Sequence, residues 1–315
     1  MKSIEWGFLI VNYLFLGGLS AGLFFISALA TYLSGREGPG LGRIARWGAL
    51  LAPWPVALGS GLLIFDLGNW YRFYLLFLHF KWHSPMSIGS WLLLLFTGLS
   101  FAYMWSWLSP DERGRVIGWM RFRPSWNRDL PVSRGWLAAI GFPLSVAVAI
   151  YTGVLLGAVQ ARPFWNTNLV AQMFLFSAIS TGCALLIVVL ALRRDRPEPG
   201  ELRSLYTLDV VLITLEFFVV LPYVIHGELS VQAVRDSLDL ILGGPFTIAF
   251  WLLFVGMGLL APLALEVREL APLVLSQAPI RLHRGLTVLA GLLVIAGGYL
   301  LRYIFVYAGQ MSAFR

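Results

Sequence analysis

The chain has 315 residues, 58% of them hydrophobic and only 12% charged, with a formal net charge of +7. Soluble domains carry roughly 25% charged residues, so this composition excludes an ordinary water-soluble enzyme and points to an integral membrane protein. Each crossing of the hydrocarbon core takes about 20 apolar residues, and such runs occur at 6–33, 44–67, 86–108, 136–159, 168–192, 205–227, 245–265 and 284–308.

These eight spans use up the sequence, so a single all-α transmembrane domain over 1–315 is expected. The longest connection, 109–134, is too short and too rich in arginine to fold alone. An even number of spans places both termini on one side. That side holds Lys2, Arg72, Lys81, Arg162, Arg235, Arg302 and Arg315. The other holds the remaining sixteen basic residues, among them Arg113, Arg115, Arg121, Arg123, Arg128, Arg193, Arg194 and Arg196. The positive-inside rule makes the Arg-rich side cytoplasmic and turns both termini outward. The positive charge then reads as topology and phospholipid contact, which argues against a nucleic-acid partner.

Span 1 opens with Glu5-Trp6 and continues through Tyr13, Gly17, Gly18, Ser20, Ala21 and Gly22, small residues that let helices approach closely. It lacks a small-residue cleavage pattern and reads as a retained helix. Span 2 contains Gly59-Ser60-Gly61 and leaves through Asp66, Asn69, Tyr71 and Arg72. The connection then passes His79 and His83 before Ser84-Pro85, where Pro85 suits the first turn of span 3. Span 4 ends at Tyr151-Thr152-Gly153, followed by Arg162 and Trp165-Asn166, which are expected to face a partner subunit. Span 5 holds the single cysteine, Cys183, so neither an internal disulfide nor a CxxC cluster motif is available.

Ionisable groups within spans cost roughly 2.5–3.5 kcal/mol at the bilayer centre, so each is read as functional unless shown otherwise. Asp209 and Glu216 of span 6 lie seven residues apart, two turns and one face, with Tyr206 and Thr214 as intervening partners. They suggest a proton path from the Arg-rich side. The competing readings are an interfacial Asp209 and a protonated Glu216 that fastens the bundle. Span 8 contains Gly297-Gly298 and Arg302 and ends at Tyr307 and Gln310. The four histidines, His79, His83, His226 and His283, all lie at span ends or in connections, which argues against haem ligation within the membrane. No metal site or flavin is expected in this protein.

The segments YLFLGGLSAG (13–22), DLGNWYRF (66–73), SPMSIGSW (84–91), YTGVLL (151–156) and YAGQ (307–310), in this order and on these spans, carry a resemblance. Together they resemble the NrfD/PsrC family of polysulfide reductase membrane subunits, over essentially the whole sequence. The resemblance implies two four-helix bundles in the cytoplasmic membrane of a bacterium or archaeon. It implies a subunit free of haem, metal and flavin that binds menaquinone or ubiquinone near the outer face. It also implies docking on a ferredoxin-like [4Fe-4S] subunit there, with a molybdopterin oxidoreductase or multihaem cytochrome beyond. The implied quinone-site positions are Tyr13, Asp66, Arg72, His83, Tyr151 and Thr152. Some relatives carry a histidine where this chain has Tyr13, and a phenol is a poorer proton acceptor.

Quinol oxidation needs an apolar slot, partners for two ring oxygens and an acceptor for two protons. Asp66 is the candidate base, with a salt bridge to Arg72 as its alternative or additional role. The phenols of Tyr13 and Tyr151 suit a quinone oxygen, and His83 suits an outward proton relay. The function expected is therefore quinone exchange with an iron–sulfur partner, quinol oxidation favoured. A secondary transporter would place its polar groups and broken helices at the midplane, and a passive anchor would have no use for the cluster.

Overall fold

The computed structural model describes residues 6–37, 40–66, 71, 74–78, 80–119, 131–193, 199–275 and 283–312. Among these residues no strand occurs. Eight helical segments are long and apolar enough to cross a membrane: Phe8–Ser34, Leu41–Asp66, Pro85–Trp107, Arg134–Gly157, Leu169–Leu192, Gly200–Glu228, Ile248–Ala271 and Arg284–Met311. They are spans 1 to 8, close to the sequence expectation, although spans 6 and 7 run further toward the Arg-rich side. The helical choice follows from the solvent: lipid offers no partner to backbone N–H and C=O groups, so each span must satisfy its own.

Spans 1–4 form one four-helix group and spans 5–8 a second. Span 1 packs on spans 2 and 4 and span 3 on span 4; span 5 packs on spans 6 and 8 and span 7 on span 8. The groups join where span 1 meets spans 5 and 8 and where span 4 meets span 5. Lipid is as apolar as leucine, so helices are held by close packing more than by exclusion from water. The span 1–span 5 seam shows how close. A Cβ on Gly22 would lie 2.0 Å from the Ala178 carbonyl oxygen, and one on Gly182 would lie 2.5 Å from the Gly22 carbonyl carbon. Gly258 and Gly297 bring spans 7 and 8 together in the same way, at 2.6 Å. Gly17 and Gly61, expected in the same role, have nothing within 4 Å of an added Cβ.

Two spans depart from a continuous α-helix. Span 2 consists of Gly40–Leu51 and Pro53–Asp66, because Pro53 has no N–H to give and its ring displaces the preceding turn. At this break the Ser20 hydroxyl of span 1 donates to the Ala52 carbonyl, and deeper in the span Ser27 donates to the Ala45 carbonyl at 2.5 Å. Span 7 begins as a π-helix, Ile248–Leu260, and continues as an α-helix, Ala261–Leu275. π-Helices are rare and usually a single turn, and they cluster at functional sites.

The connection after span 3 carries a further helix, Pro110–Trp119. A capping box opens it: the Glu112 N–H donates to the Ser109 hydroxyl at 3.2 Å, and the Ser109 N–H donates to the Glu112 carboxylate at 2.7 Å. Arg46 of span 2 donates to the same carboxylate at 2.8 Å. Arg113 is fully buried and donates to the Ser106 carbonyl at 3.2 Å. One of the arginines that counts toward topology is therefore also a structural member.

Two outcomes follow. Gly22→Leu should destabilise the purified protein by about 1–3 kcal/mol or more in thermal unfolding, as overpacking does, whereas Gly17→Ala should be neutral or slightly stabilising. Equal effects would mean that the Gly22–Gly182 crossing does not hold the halves together. The Ser109 N–H, helped by Arg46, holds the Glu112 carboxyl below the usual carboxylate range. Its contribution is therefore present above the unfolded pKa and lost as pH falls through the folded one. The protection factors of amides in 110–119 should fall on acidification, and Glu112→Ala should make them low already at neutral pH. Protection that does not change with pH would contradict this role.

Candidate functional site

Near the face that carries both termini, Tyr13 of span 1 and Tyr151 of span 4 point toward each other in the interior of the first group. Tyr13 is 1% exposed, and its hydroxyl makes no direct hydrogen bond with a described residue, the Tyr151 phenol being the polar group it faces. The Tyr151 phenol lies flat against Gly89 of span 3, where any Cβ would come within 1.8 Å of the hydroxyl oxygen. Gly89 is thus the residue that admits the phenol, and SPMSIGSW and YTGVLL meet at this point. Gly59 of span 2 closes the back of Tyr13, with its Cβ position 3.4 Å from the Tyr13 carbonyl.

The remaining expected site residues stand differently. Asp66 is exposed at the outer end of span 2, seven residues beyond Gly59 and hence roughly 10 Å further out. It makes no hydrogen bond or ion pair with a described residue, so it is not the buried member of a Tyr13–Tyr151 cluster that the sequence suggested. Arg72 lies outside the described residues, as do Asn69 and His79. His83 is exposed in the turn before span 3. That turn is built by Ser84, whose hydroxyl accepts from the Ser87 N–H at 3.4 Å with Pro85 in the first turn. Thr152 is buried, but its hydroxyl donates to the Ala149 carbonyl of its own helix at 2.8 Å, which leaves it no free donor. Around the outer start of span 3 an exposed aromatic lip forms: Phe80 packs edge-on against Trp82 at 4.7 Å and against Trp91 at 6.2 Å.

Arg162 and Trp165, expected to face a partner subunit, are both engaged within the protein. Arg162 donates to the Gln310 and Ser312 carbonyls at 2.5 and 2.6 Å. Trp165 donates to the Phe305 carbonyl at 2.6 Å and stacks on Trp6 at 5.2 Å. Gln310 closes the clasp by accepting from the Trp6 N–H at 2.7 Å and donating to the Trp6 carbonyl at 2.9 Å. The YAGQ segment and the loop after span 4 thus tie the outer ends of spans 1 and 8. Beside this clasp, Gly153, Gly157, Asn166, Asn168 and His226 line an open cleft of about 510 Å³, which neither Tyr13 nor Tyr151 reaches.

The second group holds what the first lacks. Among the described residues, the buried Asp, Glu, Lys and Arg side chains within spans are Glu201, Asp209, Glu216, Glu266 and Arg302, all in spans 6–8. Arg302, counted from sequence among the charges at the outer surface, is wholly buried. It donates to the Ser177 hydroxyl at 2.6 Å and to the Gly298 and Phe174 carbonyls at 2.7 and 3.3 Å, and it lies over the Phe174 ring. Gly18 of span 1 makes room for it, with its Cβ position 3.1 Å from the guanidinium. Glu216 shares Ser177 with Arg302 and is in electrostatic reach of both Arg302 and Asp209. Asp209 is fully buried rather than interfacial and accepts from the Ser180 hydroxyl at 2.6 Å.

Tyr206 and Thr214 do not bridge the two acids. Thr214 donates to the Val210 carbonyl of its own helix at 2.6 Å, and Tyr206 pairs with Thr287 at 2.8 Å. The residue that faces Asp209 is Glu266 of span 7, which lies one position beyond the apolar run 245–265. An acid after such a run reads as the end of a span, and only the three-dimensional packing shows that the helix continues through it.

The relatives found by sequence comparison match nearly all of this protein. It is 29% identical over 318 residues to Protein NrfD of Escherichia coli, a match that takes in 99% of this sequence and 96% of the relative. It is 29% identical over 316 residues to a polysulfide reductase chain from Wolinella succinogenes, with 98% and 95% matched. A selenate reductase subunit from Mesobacillus selenatarsenatis is 28% identical, with 98% of this sequence and 74% of the relative matched. With residues 1–313 matched by the family model described as "Polysulphide reductase, NrfD", this multi-pass membrane protein belongs to the NrfD/polysulphide reductase family.

Proposed function

We propose that this protein is the quinone-reactive membrane subunit of a respiratory-type redox complex in the cytoplasmic membrane of a bacterium or archaeon. It exchanges electrons with a ferredoxin-like [4Fe-4S] subunit on the face that carries both termini. The observation that supports this most is the buried Tyr13 hydroxyl, which makes no direct hydrogen bond with a described residue and faces the Tyr151 phenol. A buried donor without a partner costs about 1–3 kcal/mol, and a ring oxygen of menaquinone or ubiquinone is a fitting acceptor for it. Two relatives are named as parts of polysulfide and selenate reductases, which fits a subunit that passes quinol electrons to a partner outside the membrane. A molybdopterin oxidoreductase or multihaem cytochrome beyond the iron–sulfur subunit completes the assembly.

On this reading Tyr13 and Tyr151 hold a ring oxygen, and Gly89 and Gly59 keep the phenols in place. The oxidation of one quinol releases two electrons, to the iron–sulfur partner, and two protons. Asp66 and His83, both exposed on the outer side, receive the protons, with Arg72 near them in sequence. In the second group, Asp209, Glu216 and the Ser177–Arg302 pair form a proton path that ends against Gly18, five residues below Tyr13 in span 1. Quinone chemistry and proton movement then meet on one helix.

In the assembled complex, Tyr13→Phe and Tyr151→Phe should each reduce kcat/KM for quinol about 2- to 10-fold, the size of one net hydrogen bond. The double variant should lose less than the product of the two, because both phenols serve one ligand. If neither variant changes kcat/KM in well-assembled complex, the quinone binds elsewhere. Asp66→Asn should lower turnover about 100-fold, the low end for loss of a general base, and activity near wild type would move that role to His83. In proteoliposomes, Glu216→Gln should keep electron transfer while lowering the proton-to-electron ratio. An unchanged ratio would leave Glu216 a bundle fastener.

A further inference from the structure

Glu266 is a buried acid that the function above leaves unused. It reaches the interior of the second group from span 7, just past the point where the π-helix Ile248–Leu260 gives way to α-helix. Its carboxyl lies within hydrogen-bonding range of the Asp209 carboxyl. The two are 1% and 0% exposed. Among the described residues neither Glu266 oxygen nor Oδ2 of Asp209 has a donor, and only Oδ1 of Asp209 is satisfied, by the Ser180 hydroxyl.

The groups that face this pair supply no cation. From span 5 come Ser180 and Cys183, whose thiol donates to the Leu205 carbonyl at 3.2 Å; from span 6 come Tyr206 and Glu216; Glu269 approaches along span 7. Among the described residues no ion pair reaches either carboxyl. Two ionised carboxylates facing each other in a buried interior repel, and three of their four oxygens would have no donor among the described residues. One proton relieves both: it becomes a donor between the carboxyls, leaves a single negative charge on the pair and leaves one oxygen without a donor.

We infer that Asp209 and Glu266 share one proton and form the store of the proton path, filled from the Arg-rich side past Glu269 and His283; the inference rests on the path proposed above. The route to that side is short. Tyr206, paired with Thr287 at 2.8 Å, lies in electrostatic reach of both Glu266 and Glu269. Glu269 in turn meets the exposed His283, at the start of span 8, at 3.2 Å. Upward, Asp209 is in reach of Glu216, and Glu216 shares Ser177 with Arg302, which closes against span 1. The store thus has an open end at the Arg-rich surface and a closed end beneath Tyr13.

The test uses the full-length protein in lipid nanodiscs and infrared titration of protonated-carboxyl C=O bands. The expected result is a band at neutral pH that survives Glu216→Gln, is displaced or lost in both Glu266→Gln and Asp209→Asn, and is shifted but retained in Ser180→Ala. Separate bands, each removed by a single variant, would overturn sharing, and so would no protonated band at all. Loss of the wild-type band on adding sodium would also overturn the proposal, since the pair would then hold a metal cation. Because this readout needs no quinone, it can fail while the quinone reading stands, and the reverse. In proteoliposomes of the assembled complex, Glu266→Gln should keep quinol-dependent electron transfer and lose proton uptake from the Arg-rich side; unchanged uptake would place the store elsewhere.

Discussion

The backbone crossing of Gly22 in span 1 with Gly182 in span 5 is the contact on which the remaining arrangement depends. It lets one helix serve both halves of the molecule: span 1 packs on spans 2 and 4 of its own group and on spans 5 and 8 of the other. Everything of chemical interest is then registered to that helix. Tyr13 sits above the crossing, facing span 4. Gly18 sits between them and gives the Arg302 guanidinium its place. A side chain at Gly22 would push the groups apart and separate the phenols of one from the charges of the other.

The division of labour between the halves follows from how each satisfies its polar groups. The first group places hydroxyls and phenols inside and keeps its acids at the ends, with Asp66 exposed and Glu112 capping a surface helix. Besides Glu201, the second group buries four acidic or basic side chains within its spans, Asp209, Glu216, Glu266 and Arg302, and satisfies them unequally. Arg302 is well served by one hydroxyl and two carbonyls, while Asp209 and Glu266 have one donor between them among the described residues. In a low-dielectric interior such a shortage is costly unless a proton fills it. That imbalance, more than the presence of acids, makes the second group a candidate for proton handling.

Much of this was legible in the sequence because the membrane restricts the alternatives. Apolar run length fixed eight spans, small residues marked close crossings, and the family segments marked Tyr13 and Tyr151, whereas the role of Gly89 came only from the packing. Three things were not legible. A charge near a span end gives no hint of whether the helix stops there, so Arg302 was counted both with the charges on the side of the termini and inside span 8, and Glu266 fell just past a boundary. Hydrogen-bonding residues on one helix face, such as Tyr206 and Thr214, chose partners that periodicity does not reveal, one across to Thr287 and one on its own backbone. Polar side chains in a loop, such as Arg162 and Trp165, read as a docking surface, although here they tie the outer ends of spans 1 and 8 together. The sequence argument against a transporter rested on a polar constellation gathered at one face, and the buried charges of spans 6–8 weaken that ground.

The central claim is that quinone meets this protein at the Tyr13–Tyr151 pair near the face of the termini. Photolabelling of the purified complex with an azido-quinone, followed by peptide mapping, tests it most directly. The account predicts label on the peptides that carry Tyr13, Gly89 and Tyr151, displaced by excess unlabelled quinone. Displaceable label confined to spans 6–8 would contradict it.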